Sequence, residues 1–154
     1  MTLMKESNET LYKVIGSCME VHRTLGPGYP VEYYRRALEV EFESKELKFE
    51  SRKPTQVLYK EVLIGTLEID FWVNDSVVIV LRVGEDLKDH EVQQVLRLLN
   101  LMKSSIGLLV NFGGIKIQYK RVIPSRQVRE IRKEAYRPLG YREIGRTREG
   151  NPIR

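Results

Sequence analysis

Asp70 and Arg82 lie on the two strands of one predicted hairpin, residues 65–83, and an acid and a cation set at the ends of apolar runs are the first groups in the chain that could do chemistry. From residue 67 to residue 73 the side chains alternate. Leu67, Ile69, Phe71 and Val73 fall on one side and Glu68, Asp70 and Trp72 on the other, the period of a half-buried strand. Asn74-Asp75-Ser76 supplies a turn. Residues 77–81 are apolar on both faces, as a central strand covered on each side must be, and the run ends at the single charge Arg82. Antiparallel pairing turns Asp70 and Arg82 to the same face, so the guanidinium is expected to bond the carboxylate directly. The competing expectation is that Arg82 reaches solvent and leaves Asp70 exposed.

The surrounding elements follow from the same periodicities. Leu11, Val14, Ile15, Cys18, Met19 and Val21 recur at helical spacing over residues 8–25, and Gly26-Pro27-Gly28 stops the pattern. Cys18 reads as a small packed side chain, and His22, beside Arg23 near the helix end, as a surface or capping histidine favoured by the dipole. Residues 31–47 form a second predicted helix, with Tyr34, Leu38, Phe42 and Glu46 four apart. The period then changes to two: strands over 47–51 and 56–59, a turn at Lys60-Glu61, and 62–64 leading into the hairpin. Residues 87–103 return to helical spacing, with Glu85 and Asp86 in the expected N-terminal turn. A buried strand over 106–112, a turn at Gly113-Gly114 and an edge strand over 115–123, with Lys116, Gln118 and Lys120 outward, complete the order. It predicts an α/β fold, a three-layer-like sandwich with a mixed central sheet.

A chain of 154 residues with 42% apolar composition suits one compact domain. Residues 1–123 hold 17 Lys or Arg and 17 Asp or Glu, whereas residues 124–154 hold nine and four, so the whole +5 lies after the boundary at Pro124. Residues 124–154 read as a basic C-terminal extension, partly helical over 125–136 and otherwise mobile. No apolar run approaches the roughly 20 residues that cross a bilayer, and the first residues are too polar and acidic for a secretory signal, which points to the cytoplasm and away from membranes. One Cys and two His give neither an internal disulfide nor a His/Cys zinc cluster, so any metal would be held by oxygens.

Leu25-Gly26-Pro27-Gly28, Tyr34, Gly65, Asp70, His90-Glu91, Gln94 and the run from Gly107 to Gly113 resemble the landmarks of the GxxExxY family, small bacterial proteins with the PD-(D/E)XK restriction-endonuclease-like fold. The resemblance spans residues 12–123. It implies a helix glutamate, a strand aspartate and a Glu-x-Lys pair around one or two magnesium ions, with a helix glutamine that orients the site. Such ions polarise the scissile phosphate and lower the pKa of the attacking water. Carried across, the aspartate falls on Asp70, the lysine on Arg82 and the glutamine on Gln94, but the two glutamates fall on Val31 and Val80. Valine offers no ligand, and a guanidinium cannot act as a base near neutral pH. Glu68, two residues from Asp70 on the same strand, and Glu32, one position after Val31, are the acids that could compensate.

Three functions are therefore expected in competition. The first is a catalytically impaired nuclease-like protein that binds DNA or RNA through Arg126, Arg129, Arg132, Lys133 and Arg137, with no cofactor. The second is an active nuclease with a displaced acid, using Mg or Mn held at Asp70 with Glu68 or Glu32 and Gln94. The third is a protein-interaction subunit, a homodimer that uses the fold as a scaffold.

Overall fold

The computed structural model describes residues 2–124. Eight elements follow one another: α1 (Thr2–Leu25), α2 (Val31–Ser44), β1 (Phe49–Tyr59), β2 (Val62–Val73), β3 (Val77–Arg82), α3 (Asp89–Met102), β4 (Ile106–Asn111) and β5 (Gln118–Val122). The five strands form one mixed sheet in the order β1-β2-β3-β4-β5. Only β3 and β4 run parallel, joined by the α3 crossover; the other neighbours are antiparallel.

Strand alternation sorts the core into two layers. Phe71, Val73, Val77, Ile79, Leu108, Val110 and Phe112 meet Leu11, Val14, Cys18, Tyr34, Leu38 and Phe42 from α1 and α2. On the other face α3 comes so close that a Cβ on Gly107 would lie 3.1 Å from Leu99 and 3.2 Å from Val95. This is the expected α/β sandwich, with β3 and β4 apolar on both faces because both are covered. Cys18 is packed in the first layer, where burial pushes its thiol up to about 12.

Several expectations are corrected. The two predicted strands around Pro54 are one continuous strand, which an edge position allows because a proline there interrupts no ladder between inner strands. α1 begins at Thr2, and α2 ends at Ser44, short of residue 47. α3 starts at Asp89, so Glu85 and Asp86 precede it, and its first-turn acids are Asp89 and Glu91. His22 is buried, and its Nε2–H donates to the Gly114 carbonyl at 2.9 Å, tying α1 to the β4–β5 loop. β5 covers only Gln118–Val122, and Gln118 turns inward to bond Asn111 and Asp86.

Candidate functional site

The sheet opens at Asp70. β2 and β3 pair at Val73↔Val77, Trp72↔Val78 and Phe71↔Ile79, and the pairing stops there. Val80 would be the next partner, but the Leu81 N–H donates instead to Asp70 Oδ2 at 2.8 Å. On the other side, β1 pairs Ser51↔Phe71 and Lys53↔Ile69, while Arg52 between them takes a left-handed φ of 56° and drops out of the ladder. Asp70 thus stands where strand pairing lapses on both flanks, and its carboxylate is open to groups from outside the sheet.

Arg35 of α2 is the group that reaches it. Its Nη2 lies 2.8 Å from Asp70 Oδ1, its Nη1 donates to the Asp70 carbonyl at 3.4 Å, and its Nε donates to Glu32 Oε2 at 3.1 Å. Arg52 also donates to Glu32 Oε2, and Arg52 Nη1 lies 3.8 Å from Glu68 Oε1. Five charges therefore alternate in sign along one chain, Glu68–Arg52–Glu32–Arg35–Asp70. Its Arg35–Asp70 end is enclosed, with side chains 6% and 19% exposed, and its Glu68 end is open at 55%. Ion pairs at the open end add little, whereas the enclosed pair is costly to break.

Local sequence sets this geometry. Gly26 and Gly28 adopt φ of 73° and 109° in the turn after α1, conformations that a side chain would strain. The Tyr34 hydroxyl donates to the Gly26 carbonyl at 2.5 Å and accepts the Tyr29 N–H at 3.3 Å, fixing the start of α2 against that turn. Arg35, Leu38 and Phe42 then share the buried stripe of α2. Burial works to raise the Glu32 pKa, but the bonds and charges of Arg52 and Arg35 outweigh it and hold the carboxyl below its ordinary value. Desolvation likewise opposes the charge on Arg35, yet Asp70 and Glu32 raise its pKa above the usual guanidinium value.

The expected Asp70–Arg82 contact is not formed. Arg82 is paired with Glu91, which lies 4% exposed on α3 and also accepts the Lys88 N–H at 3.0 Å. The reason is that β2 and β3 part before reaching Arg82, and α3 presents its own buried acid to that strand end. Gln94 is exposed on α3. Glu68 joins the site only through Arg52, and Glu32 faces it as a half-buried group. Arg126, Arg129, Arg132, Lys133 and Arg137 lie outside the described residues.

Sequence reasoning misses Arg35 and Arg52, and it reads Glu91 only as a landmark of the resemblance and not as the partner of Arg82. Arg35 had a signal: a charge three before Leu38 and seven before Phe42 occupies an apolar stripe and requires a buried counter-charge. For Glu91 the signal is its place at the start of a helix, facing a strand that ends in arginine. Arg52 has none, since its role depends on a local break in the ladder.

A divalent cation fits this donor set poorly. Magnesium and manganese need several free oxygens at short range. Both Asp70 oxygens are engaged, Val31 and Val80 offer none, and Glu32 and Glu68 are held by Arg52. Among the described residues no group of three His, Cys, Asp or Glu is placed to hold a metal ion. No described helix is long and apolar enough to cross a membrane.

A family model described as the PD-(D/E)XK nuclease superfamily matches residues 8–122. A solved structure, the crystal structure of SSO0001, is similar with a TM-score of 0.50 at 17% identity, over 68% of this chain and 55% of that one. The chain spans little more than half the length of that protein, and the likeness is one of fold. No curated protein matches.

Proposed function

Because the chain belongs to the PD-(D/E)XK nuclease superfamily, we propose that it is a catalytically impaired member, of the GxxExxY type, that binds nucleic acid without cutting it. The Arg35–Asp70 contact carries this reading: the one carboxylate retained from the superfamily pattern is neutralised by a fixed guanidinium from α2. A guanidinium supplies positive charge at that carboxylate, but it cannot generate a hydroxide nucleophile or exchange ligands during a reaction. Support for a nucleic-acid partner comes from charge: the last 31 residues hold nine basic and four acidic side chains, including the five basic residues from Arg126 to Arg137.

A second reading, an active Mg- or Mn-dependent nuclease with a displaced acid, draws on the convergence of Glu32 and Glu68 beside Asp70. One set of measurements separates the two. Labelled single- and double-stranded DNA and RNA are titrated with the full chain at two salt concentrations, and the same substrates are incubated with each metal. The expected result is binding that weakens steeply with salt, in EDTA as in metal, with substrates intact. Cleavage lost in Asp70→Ala establishes the second reading. Absence of binding at low salt overturns the first.

A further inference from the structure

Tyr29 and Tyr33 lie outside the core, yet they are held in one arrangement. Their rings stack with centroids 5.6 Å apart and an interplanar angle of 20°, at the start of α2. Tyr33 is 57% exposed and Tyr29 40%. The buried Tyr34 fastens the turn after α1, so the two outer rings are not needed for that task. The Tyr29 N–H donates to the Tyr34 hydroxyl at 3.3 Å, and its ring meets the Tyr34 ring edge-on with centroids 6.2 Å apart. Between the two outer tyrosines, Pro30 caps α2 with a φ of −60° fixed by its own ring. The stack is therefore ordered before any partner arrives, and a partner that extends it costs little further side-chain freedom.

Around this pair the cations are the outermost charges. The Arg36 side chain, one turn on from Tyr33, is 80% exposed against 27% for its partner Glu39. Arg23, in the last turn of α1, is 74% exposed against 42% for Glu20. Glu32, next to Tyr33 in the chain, is held by Arg35 and Arg52. An approaching phosphate thus meets guanidinium groups first, and the adjacent carboxylate is already paired.

We propose that the Tyr29–Tyr33 stack is a platform for an unpaired base, which makes single-stranded nucleic acid the class of partner; the inference rests on the nucleic-acid reading above. Bases inside a duplex are stacked on one another and offer no free face. An unpaired base can extend the tyrosine stack across the open side of Tyr33. Residues three apart on a helix are neighbours, so Arg36 stands beside that base, placed for its phosphate. Phosphate contacts are made to either form of nucleic acid, and the discrimination comes from the rings.

Fluorescence anisotropy with the full chain tests this on three labelled probes: a single strand, its duplex, and an abasic strand of the same length and charge. Tyr33→Ala is expected to weaken single-strand binding roughly tenfold and to leave duplex binding and the melting midpoint unchanged, while Tyr33→Trp restores the affinity. Wild type binds the abasic strand about as weakly as Tyr33→Ala binds the intact one, and the variant loses nothing more on the abasic strand, because ring and base act as one contact. Single-strand binding unchanged in Tyr33→Ala overturns the inference and leaves the nucleic-acid reading standing. No binding to any probe at low salt removes both. A dimer that sedimentation shows to be lost in Tyr33→Ala, with single-strand affinity unchanged, assigns the rings to a protein contact and overturns the inference as well.

Discussion

Asp70 has two carboxylate oxygens, and each answers to a different part of the molecule: Oδ2 takes the Leu81 N–H that strand pairing leaves over, and Oδ1 takes Arg35. Replacing Arg35 with Met keeps the bulk of the stem and strands the partly buried acid. The expected cost is about 2–4 kcal/mol by urea denaturation, below the full value for a buried pair because Asp70 retains some contact with water. Asp70→Asn in the Arg35→Met background removes the orphaned charge and recovers part of that loss, so the two substitutions are not additive. Glu32 adds a pH dependence. Its folded pKa is held below the unfolded one, so its contribution is present above the unfolded pKa and is lost as pH falls through the folded value. Acidification from neutrality into the carboxylate range therefore lowers the melting midpoint, and Glu32→Gln flattens part of that acid limb. Asp75, held low by Lys48, contributes to the same limb and leaves a residual slope in the variant.

At the scale of elements, the α1–α2 turn positions Arg35, and Tyr34 is its fastener. The ring is fully buried and stacks on Phe112 with centroids 4.6 Å apart, while the hydroxyl bridges Gly26 and Tyr29. Tyr34→Phe keeps the stack and leaves two backbone groups without their partner. The expected loss is about 1–2 kcal/mol in chemical denaturation. Tyr34, the Gly26-Pro27-Gly28 stop and the doubly apolar β3 were all legible in the sequence, because each reflects local conformation or one period of burial. The turn at Lys60-Glu61 was legible as well, although both residues take φ > 0 without asparagine or glycine. The continuity of β1 through Pro54 was not, because edge position belongs to the sheet as a whole. Nor was the partner of Asp70: hairpin parity put Arg82 beside it, but the pairing of β2 and β3 ends at Phe71↔Ile79, and α2 supplies the partner from 35 positions away. The acids around the site were visible as residue types, whereas their sharing through Arg52 depends on a φ of 56° that no spacing reveals.

For the whole molecule, net charge is divided unevenly between two stretches of sequence. Residues 1–123 are balanced, and their ionic contacts at the site close among themselves through Arg35 and Arg52. A fold that needed a divalent ion to neutralise clustered carboxylates would gain stability from that ion by mass action, since the ion binds only the folded chain. Here the neutralising charge is covalently part of α2. The melting midpoint in millimolar magnesium or manganese is therefore expected to equal that in EDTA, and calorimetric titration of either ion to show no saturable heat. Ionic-strength controls with potassium chloride separate screening of the exposed pairs, such as Lys48–Asp75, from ion binding. A midpoint that rises with manganese in the wild type, but not in Asp70→Asn, would seat the ion at Asp70. The arginine would then have to move aside to admit it, and the impaired reading would give way to that of a working nuclease.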